Sequence, residues 1–131
     1  MKYKFFTIAF SLLVPISAHS QYAWELIKDP AFKSAYHNIL GPKTKEAWLA
    51  KLPGPSGIAT QKTIQGEEYL LAQSCRPHAC NIDNIVFAYS PMSRRVFAKL
   101  VEKGSMQWLG DPPFEIRLEL EAYYAKQFGK K

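Results

Sequence analysis

Hydrophobic and polar positions change their period once along this chain, and the change divides it into two kinds of structure. From Asp29 onward, Ala31, Phe32, Ala35, Tyr36 and Ile39 recur at three- and four-residue spacing, which predicts one buried face of a helix. Asp29 can cap the orphan amides, Pro30 suits the first helical position, and Gly41-Pro42 ends the run. His37 falls on the polar side of the stripe and is expected at the solvated surface. A second short helix is expected from Thr44 to Leu52, with Ala47, Trp48 and Leu52 facing inward. Pro53-Gly54-Pro55-Ser56-Gly57 then forbids regular structure.

Beyond this break the period becomes two. Ile58 to Ile64 reads as a strand, Gln65-Gly66 as a tight turn, and Glu67 to Ser74 as the returning strand. Asn84 to Tyr89 is a third strand, and the unbroken Ile85-Val86-Phe87 suggests that it is covered on both faces. After Ser90-Pro91-Met92-Ser93, Val96, Ala98 and Leu100 alternate with Arg95, Phe97 and Lys99 in a fourth strand. Lys103-Gly104 turns again, and Met106 to Leu109 is a short fifth. Connections this short imply an antiparallel meander, because parallel strands need a long crossover. The last segment alternates like a strand from Phe114 to Glu121. Its residue types, the Asp111-Pro112 start and the stripe Ile116, Leu120, Tyr123, Tyr124 and Phe128 favour a helix instead. Glu115 near its start and Lys126 near its end suit the helix dipole. The expected fold is α+β, a five-stranded antiparallel sheet flanked by N-terminal and C-terminal helices.

The first twenty residues stand outside that fold. Lys2 and Lys4 precede a nearly all-apolar run from Phe5 to Ile16, and Ala18-His19-Ser20 supplies the small residues of a signal-peptidase site. The run is well short of the roughly 20 residues that a membrane-spanning helix needs. The expectation is a signal peptide over residues 1–20 and one domain over residues 21–131, with Gln21 as the new N-terminus. Such a domain can bury roughly two thirds of its unfolded surface.

Export changes the reading of the cysteines. The chain has two, Cys75 and Cys80, and in an oxidising compartment they are expected to pair. Closing so small a ring stabilises the fold by only about 2 kcal/mol, so its main effect is to stiffen the loop. The formal charge of +6 includes Lys2 and Lys4, and the leader carries no acid, so its removal leaves +4. The basic residues are scattered, with Arg94-Arg95 and Lys130-Lys131 the only basic pairs, and neither is interleaved with aromatics as a nucleic-acid groove would require.

The candidate chemistry therefore gathers at Cys75-Arg76-Pro77-His78-Ala79-Cys80, between the second and third strands. A Cys/His metal site is one reading, although the C-x4-C spacing is not a usual zinc pattern. A thiol nucleophile with a histidine base is another, although the C-x-x-C redox spacing is absent. Glycosidase chemistry would need facing carboxylates, whereas Glu67 and Glu68 are adjacent and point to opposite faces of a strand. The remaining reading is a rigid tip that binds. Pro77 restricts Arg76 and fixes its own φ, so that His78 is presented in a defined direction at low entropic cost. A histidine that merely caps a hairpin is equally compatible with these residues.

A signal peptide, a domain of this size and a Cys-(Lys/Arg)-Pro-His-x-Cys loop between two strands resemble the Ivy family, bacterial inhibitors of vertebrate (C-type) lysozyme. The likeness runs from about Trp48, through Glu67-Glu68-Tyr69 and Cys75-Arg76-Pro77-His78-Ala79-Cys80, to Trp108-Leu109-Gly110. It implies a periplasmic protein with an antiparallel sheet between helices, without catalytic residues, metal or cofactor. Its loop histidine would enter the lysozyme cleft and hydrogen-bond the two catalytic carboxylates, protecting peptidoglycan and evading host defence. Carried over, Cys75–Cys80 is the staple, His78 the key, and Arg76, Pro77 and Ala79 its shoulders. The best-known members carry Asp where this chain has Ala79, and Arg76 replaces the commoner Lys. The implied partner is C-type lysozyme. Because this domain and such lysozymes are both basic, one of the cell's own lytic transglycosylases is a second candidate. An exposed sheet edge or helix face could support a homodimer, and no membrane contact is implied after the leader is removed.

Overall fold

Strand β3 (Asp83–Ser90) is the middle strand of the sheet, and all eight of its residues are buried. The computed structural model describes residues 21–129, so the expected signal peptide lies outside the described residues. Around β3 run β1 (Thr60–Ile64), β2 (Glu67–Cys75), β4 (Arg95–Glu102) and β5 (Ser105–Leu109), in sequence order and antiparallel throughout. The expected meander and its five strands are all present. Gln65-Gly66 and Lys103-Gly104 each join paired strand ends with two residues of positive φ, 49° and 78° in the first and 48° and 81° in the second. That is the turn whose twist matches flanking strands, and glycine at the second position admits it without strain.

Helices cover both faces. On one lie α1 (Ala23–Leu26), α2 (Pro30–Leu40) and α3 (Ala47–Lys51), packed over Ala72, Ile85, Phe87, Tyr89, Ala98 and Leu100. On the other lies α4 (Phe114–Phe128), with Ile116, Leu120 and Tyr123 against Leu71, Val86, Ala88 and Phe97. Alternation along β3 sends Ile85, Phe87 and Tyr89 to the first layer and Val86 and Ala88 to the second, which explains the unbroken apolar run. Phe32 joins α2 to the sheet, with ring centroids 5.2 Å from Phe87 and 5.1 Å from Tyr89. As expected, Asp29 caps α2, its Oδ1 accepting from the Ala31 amide at 3.0 Å, and Pro30 is the first helical residue. The buried Tyr36 hydroxyl donates to the Leu49 carbonyl at 2.8 Å, tying α2 to α3.

Several local expectations need correction. The helix expected over Thr44–Leu52 is a 3-10 turn, Gly41–Lys45, followed by α3, and Leu52 ends it at a φ of 48°. His37 is half-buried, not solvated, with Nε2 2.8 Å from the Ala50 carbonyl. The first strand begins at Thr60, leaving Ile58 exposed. Lys99, on the alternate set of β4 positions with Arg95 and Phe97, is only 8% exposed, because α4 covers that face. Its ammonium is held by both Glu121 oxygens at 2.9 Å and lies 4.1 Å from the Tyr124 ring centroid. Asp111 does not cap α4: Pro113 holds that position, and Arg117 Nε instead donates to the Pro112 carbonyl at 2.9 Å. The short α1 had no periodic signal at all.

Glu67 and Glu68 do point apart. Glu68 accepts from Thr63 on β1 at 2.5 Å, while Glu67 accepts from the Tyr69 hydroxyl at 2.7 Å and the Ser90 hydroxyl at 2.9 Å. Hydrogen bonds from Tyr69, then Ser93 and Ser90, hold the Glu67 carboxyl below its usual 4.5. A lowered folded-state value means that the unfolded chain takes up the proton first as pH falls. Its stabilisation is therefore present above the ordinary value and is lost as pH falls through the lowered one. Urea titrations between about pH 5 and about pH 3 should show a steeper loss of stability for the wild type than for Glu67→Gln. Parallel curves for the two proteins would show that these bonds carry none of the acid sensitivity.

Candidate functional site: the disulfide-closed turn

The connection from β2 to β3 begins where these two central strands are firmly paired, Cys75 opposite Asn84. Cys75 and Cys80 form a disulfide with their Cα atoms 4.8 Å apart. Inside the ring, the Ala79 amide donates to the Arg76 carbonyl at 3.0 Å, closing a four-residue turn with Pro77 second and His78 third. His78 has a φ of 67°, the left-handed value that the third residue of a type II turn requires. Proline favours the second place because its φ is already set. Glycine or asparagine usually takes the third, and histidine is among the side-chain residues that tolerate it. The penalty is on the order of 1–2 kcal/mol, and such a conformation persists only where its surroundings impose it. Pro77 and His78 are exposed at the tip, so the imidazole is presented to solvent by a backbone with little freedom.

The body of the protein supplies the base. Asn84 Nδ2 donates to the Cys80 carbonyl at 2.9 Å, and the Ala79 carbonyl accepts from the amides of Ile82 and Asp83 at 3.0 and 2.9 Å. The Pro53-Gly54-Pro55 stretch, legible only as a breaker, is the wall behind Cys75. Pro55 O lies 3.6 Å from Cys75 Sγ, and a Cβ on Gly54 would fall 1.8 Å from the Cys75 carbonyl oxygen.

A charged network surrounds this base. Asp83, 4% exposed, accepts from the Lys103 amide on Oδ1 at 3.1 Å and pairs ionically with Arg76, its Oδ2 lying 2.9 Å from Nε without hydrogen-bond alignment. Arg76 Nη2 is 3.5 Å from Glu46 Oε1, and its guanidinium lies 5.5 Å from the Trp48 ring centroid. Lys43 Nζ bonds Glu102 at 2.6 Å and reaches Glu46 at 3.9 Å. Burial, then the neighbouring Glu102 carboxylate, push the Glu46 carboxyl above its ordinary value. Burial acts on Glu102 in the same direction, but its bonds with Lys43 and Glu46 hold it below.

Of the residues singled out from sequence, Cys75 through Cys80 form one structure with His78 at its apex. Arg76 is the exception among the expected shoulders, since its side chain turns back onto the body. With both sulfurs bonded to each other, neither is free to act as a thiolate nucleophile or ligand. Glu46, Asp83 and Gly54 escaped the sequence reading because they come from three separate segments. The one available signal was Asp83, an acid two residues before the apolar run Ile85-Val86-Phe87.

Fold and site together define a small α+β domain that displays a disulfide-closed turn at one end of its sheet. Comparison with known proteins gives the family: the model described as inhibitor of vertebrate lysozyme (Ivy) matches residues 31–126, and the chain belongs to it. Among its relatives is an "Inhibitor of vertebrate lysozyme" of Pseudomonas aeruginosa, 24% identical over 109 residues, covering 72% of this chain and 71% of the relative. Another is an uncharacterized protein of Yersinia pestis, 27% identical over 116 residues and covering 78% and 75%.

Gly54→Ala should destabilise the protein by about 1–3 kcal/mol, because the Cys75 backbone must retreat from the new methyl. Urea denaturation measures the loss, and faster disulfide reduction by a phosphine would report the loosened loop. An unchanged midpoint would mean that the wall behind Cys75 yields freely.

Proposed function

We propose that this protein is exported through its residue 1–20 leader to the periplasm, where residues 21–131 inhibit lysozyme by inserting the 75–80 loop into the catalytic cleft. The observation that carries the reading is His78, exposed and left-handed at the tip of a disulfide-closed turn, in a chain of this family. Cleavage by such enzymes depends on two carboxyl groups about 5 Å apart, one protonated and one ionised. An imidazole can donate at one nitrogen and accept at the other, or donate twice when charged, so one side chain can satisfy both groups. A peptide tip in that cleft excludes the sugar and offers no glycosidic bond to cleave. Preorganisation matters because each side chain or loop residue ordered on binding subtracts from affinity.

Charge bears on the choice of target among peptidoglycan-cleaving enzymes. The formal charge of +6, or +4 without the leader, would oppose approach to a strongly basic C-type lysozyme and favour a less basic one or a lytic transglycosylase. Turbidity assays on peptidoglycan with each enzyme decide between them.

His78→Ala should weaken inhibition by at least about 2 kcal/mol, roughly 30-fold. His78→Gly should be as weak an inhibitor while relieving the left-handed backbone, so that a folding defect cannot account for the loss. Undiminished inhibition by either variant would overturn the insertion mechanism. Ala79→Asp, which adds a polar group beside the tip, should tighten binding to C-type lysozyme; weaker or unchanged binding would point to a different natural target.

A further inference from the structure

Arg76 sits two residues before the tip, yet its side chain is committed to the body. Nε reaches Asp83 on β3 at 2.9 Å, Nη2 reaches Glu46 ahead of α3 at 3.5 Å, and the guanidinium faces the Trp48 ring of α3 at 5.5 Å. The same residue closes the turn through its backbone: its amide donates to the Asp83 carbonyl and its carbonyl accepts from Ala79, both at 3.0 Å. The disulfide and the bonds to the Ala79 and Cys80 carbonyls hold the far side of the ring, and Arg76 connects its near side to the sheet and to the helical layer at once. A planar guanidinium offers two edges for carboxylates and a face for an aromatic ring, which a lysine ammonium cannot reproduce.

We propose that Arg76 is a positioning residue: through Glu46, Asp83 and Trp48 it sets the direction in which His78 is presented, and it makes no essential contact with the target. Its consequence for inhibition rests on the insertion mechanism; its consequence for the loop does not. Replacing Arg76 by an apolar residue would strand the buried Asp83 carboxylate and could unfold the protein, so the informative variants are milder. Arg76→Lys retains the charge opposite Asp83 and removes the second edge and the flat face. Glu46→Gln leaves Arg76 untouched, lies away from the tip, and removes a carboxylate that already repels Glu102.

Two measurements on the intact protein test this. The first, made without any target, is the nuclear magnetic resonance signature of His78: its amide–α coupling, α-carbon shift and fast-timescale order parameter. Both variants should move these values toward those of an averaged, mobile turn while global unfolding midpoints stay close to wild type. The second is inhibition, which should weaken by about tenfold in both variants as preorganisation is lost. If Glu46→Gln keeps the wild-type His78 signature and full inhibition while Arg76→Lys loses inhibition, Arg76 is a contact residue and the proposal is overturned. If neither variant changes the His78 signature, the proposal also falls. If His78→Ala still inhibits fully, the insertion mechanism fails, and the spectroscopic response alone decides the role of Arg76.

Discussion

Burial of β3 on both faces is the constraint on which the rest depends. A strand without a solvated face fixes its register from both sides, since a one-residue slip would exchange the sets meeting α2 and α4. Its neighbours inherit that register through eight pairs with β4 and six with β2. The loop carrying His78 springs from the end of this most constrained pair, at Cys75 and Asn84. A tip mounted there starts from a base that does not bend, which a loop on the exposed β1 or β5 edge would lack.

Magnitudes show why the disulfide is not the whole device. Closing a ring this small contributes about 2 kcal/mol through the unfolded chain, and a left-handed histidine opposes it by about 1–2 kcal/mol. The two nearly cancel, so the turn is held by what surrounds it. The Asp83 carboxylate, buried and shared between Arg76 and the Lys103 amide, couples the loop to the β4–β5 turn. Asp83 is buried although the Arg76 side chain is 42% exposed, so losing Arg76 leaves a buried carboxylate short of its cation, which costs more than losing a fully exposed ion pair. The staple fixes where the loop begins and ends; the charged base fixes where it points.

Much of this was legible in the sequence because it is local. The change of period at Pro53, the two-residue turns ending in Gly66 and Gly104, the Asp29-Pro30 cap and the continuous Ile85-Val86-Phe87 each express a rule acting over a few residues. What was not legible depends on layers meeting. Alternation along β4 does not reveal that α4 covers the face carrying Lys99. His37 looked solvated because its partner, the Ala50 carbonyl, belongs to a later helix. At the site, the tip was readable as six consecutive residues, while its support from Glu46, Trp48, Gly54 and Asp83 was not, because no spacing rule links segments that only the fold brings together.

The same division bears on how such a protein can bind. A net positive charge opposes approach to a basic partner, so encounter with one would be slower than the roughly 10⁵–10⁶ per molar per second of an unsteered protein pair. Affinity then has to come from slow dissociation, which depends on short-range contacts that lose little entropy on forming. A stiff tip bearing one amphiprotic ring meets that requirement. Its stiffness is supplied by charged residues that are paired within the protein itself: Arg76 with Asp83 and Glu46, Lys43 with Glu102. Charge at this end of the molecule therefore serves the geometry of the loop more than attraction toward a partner.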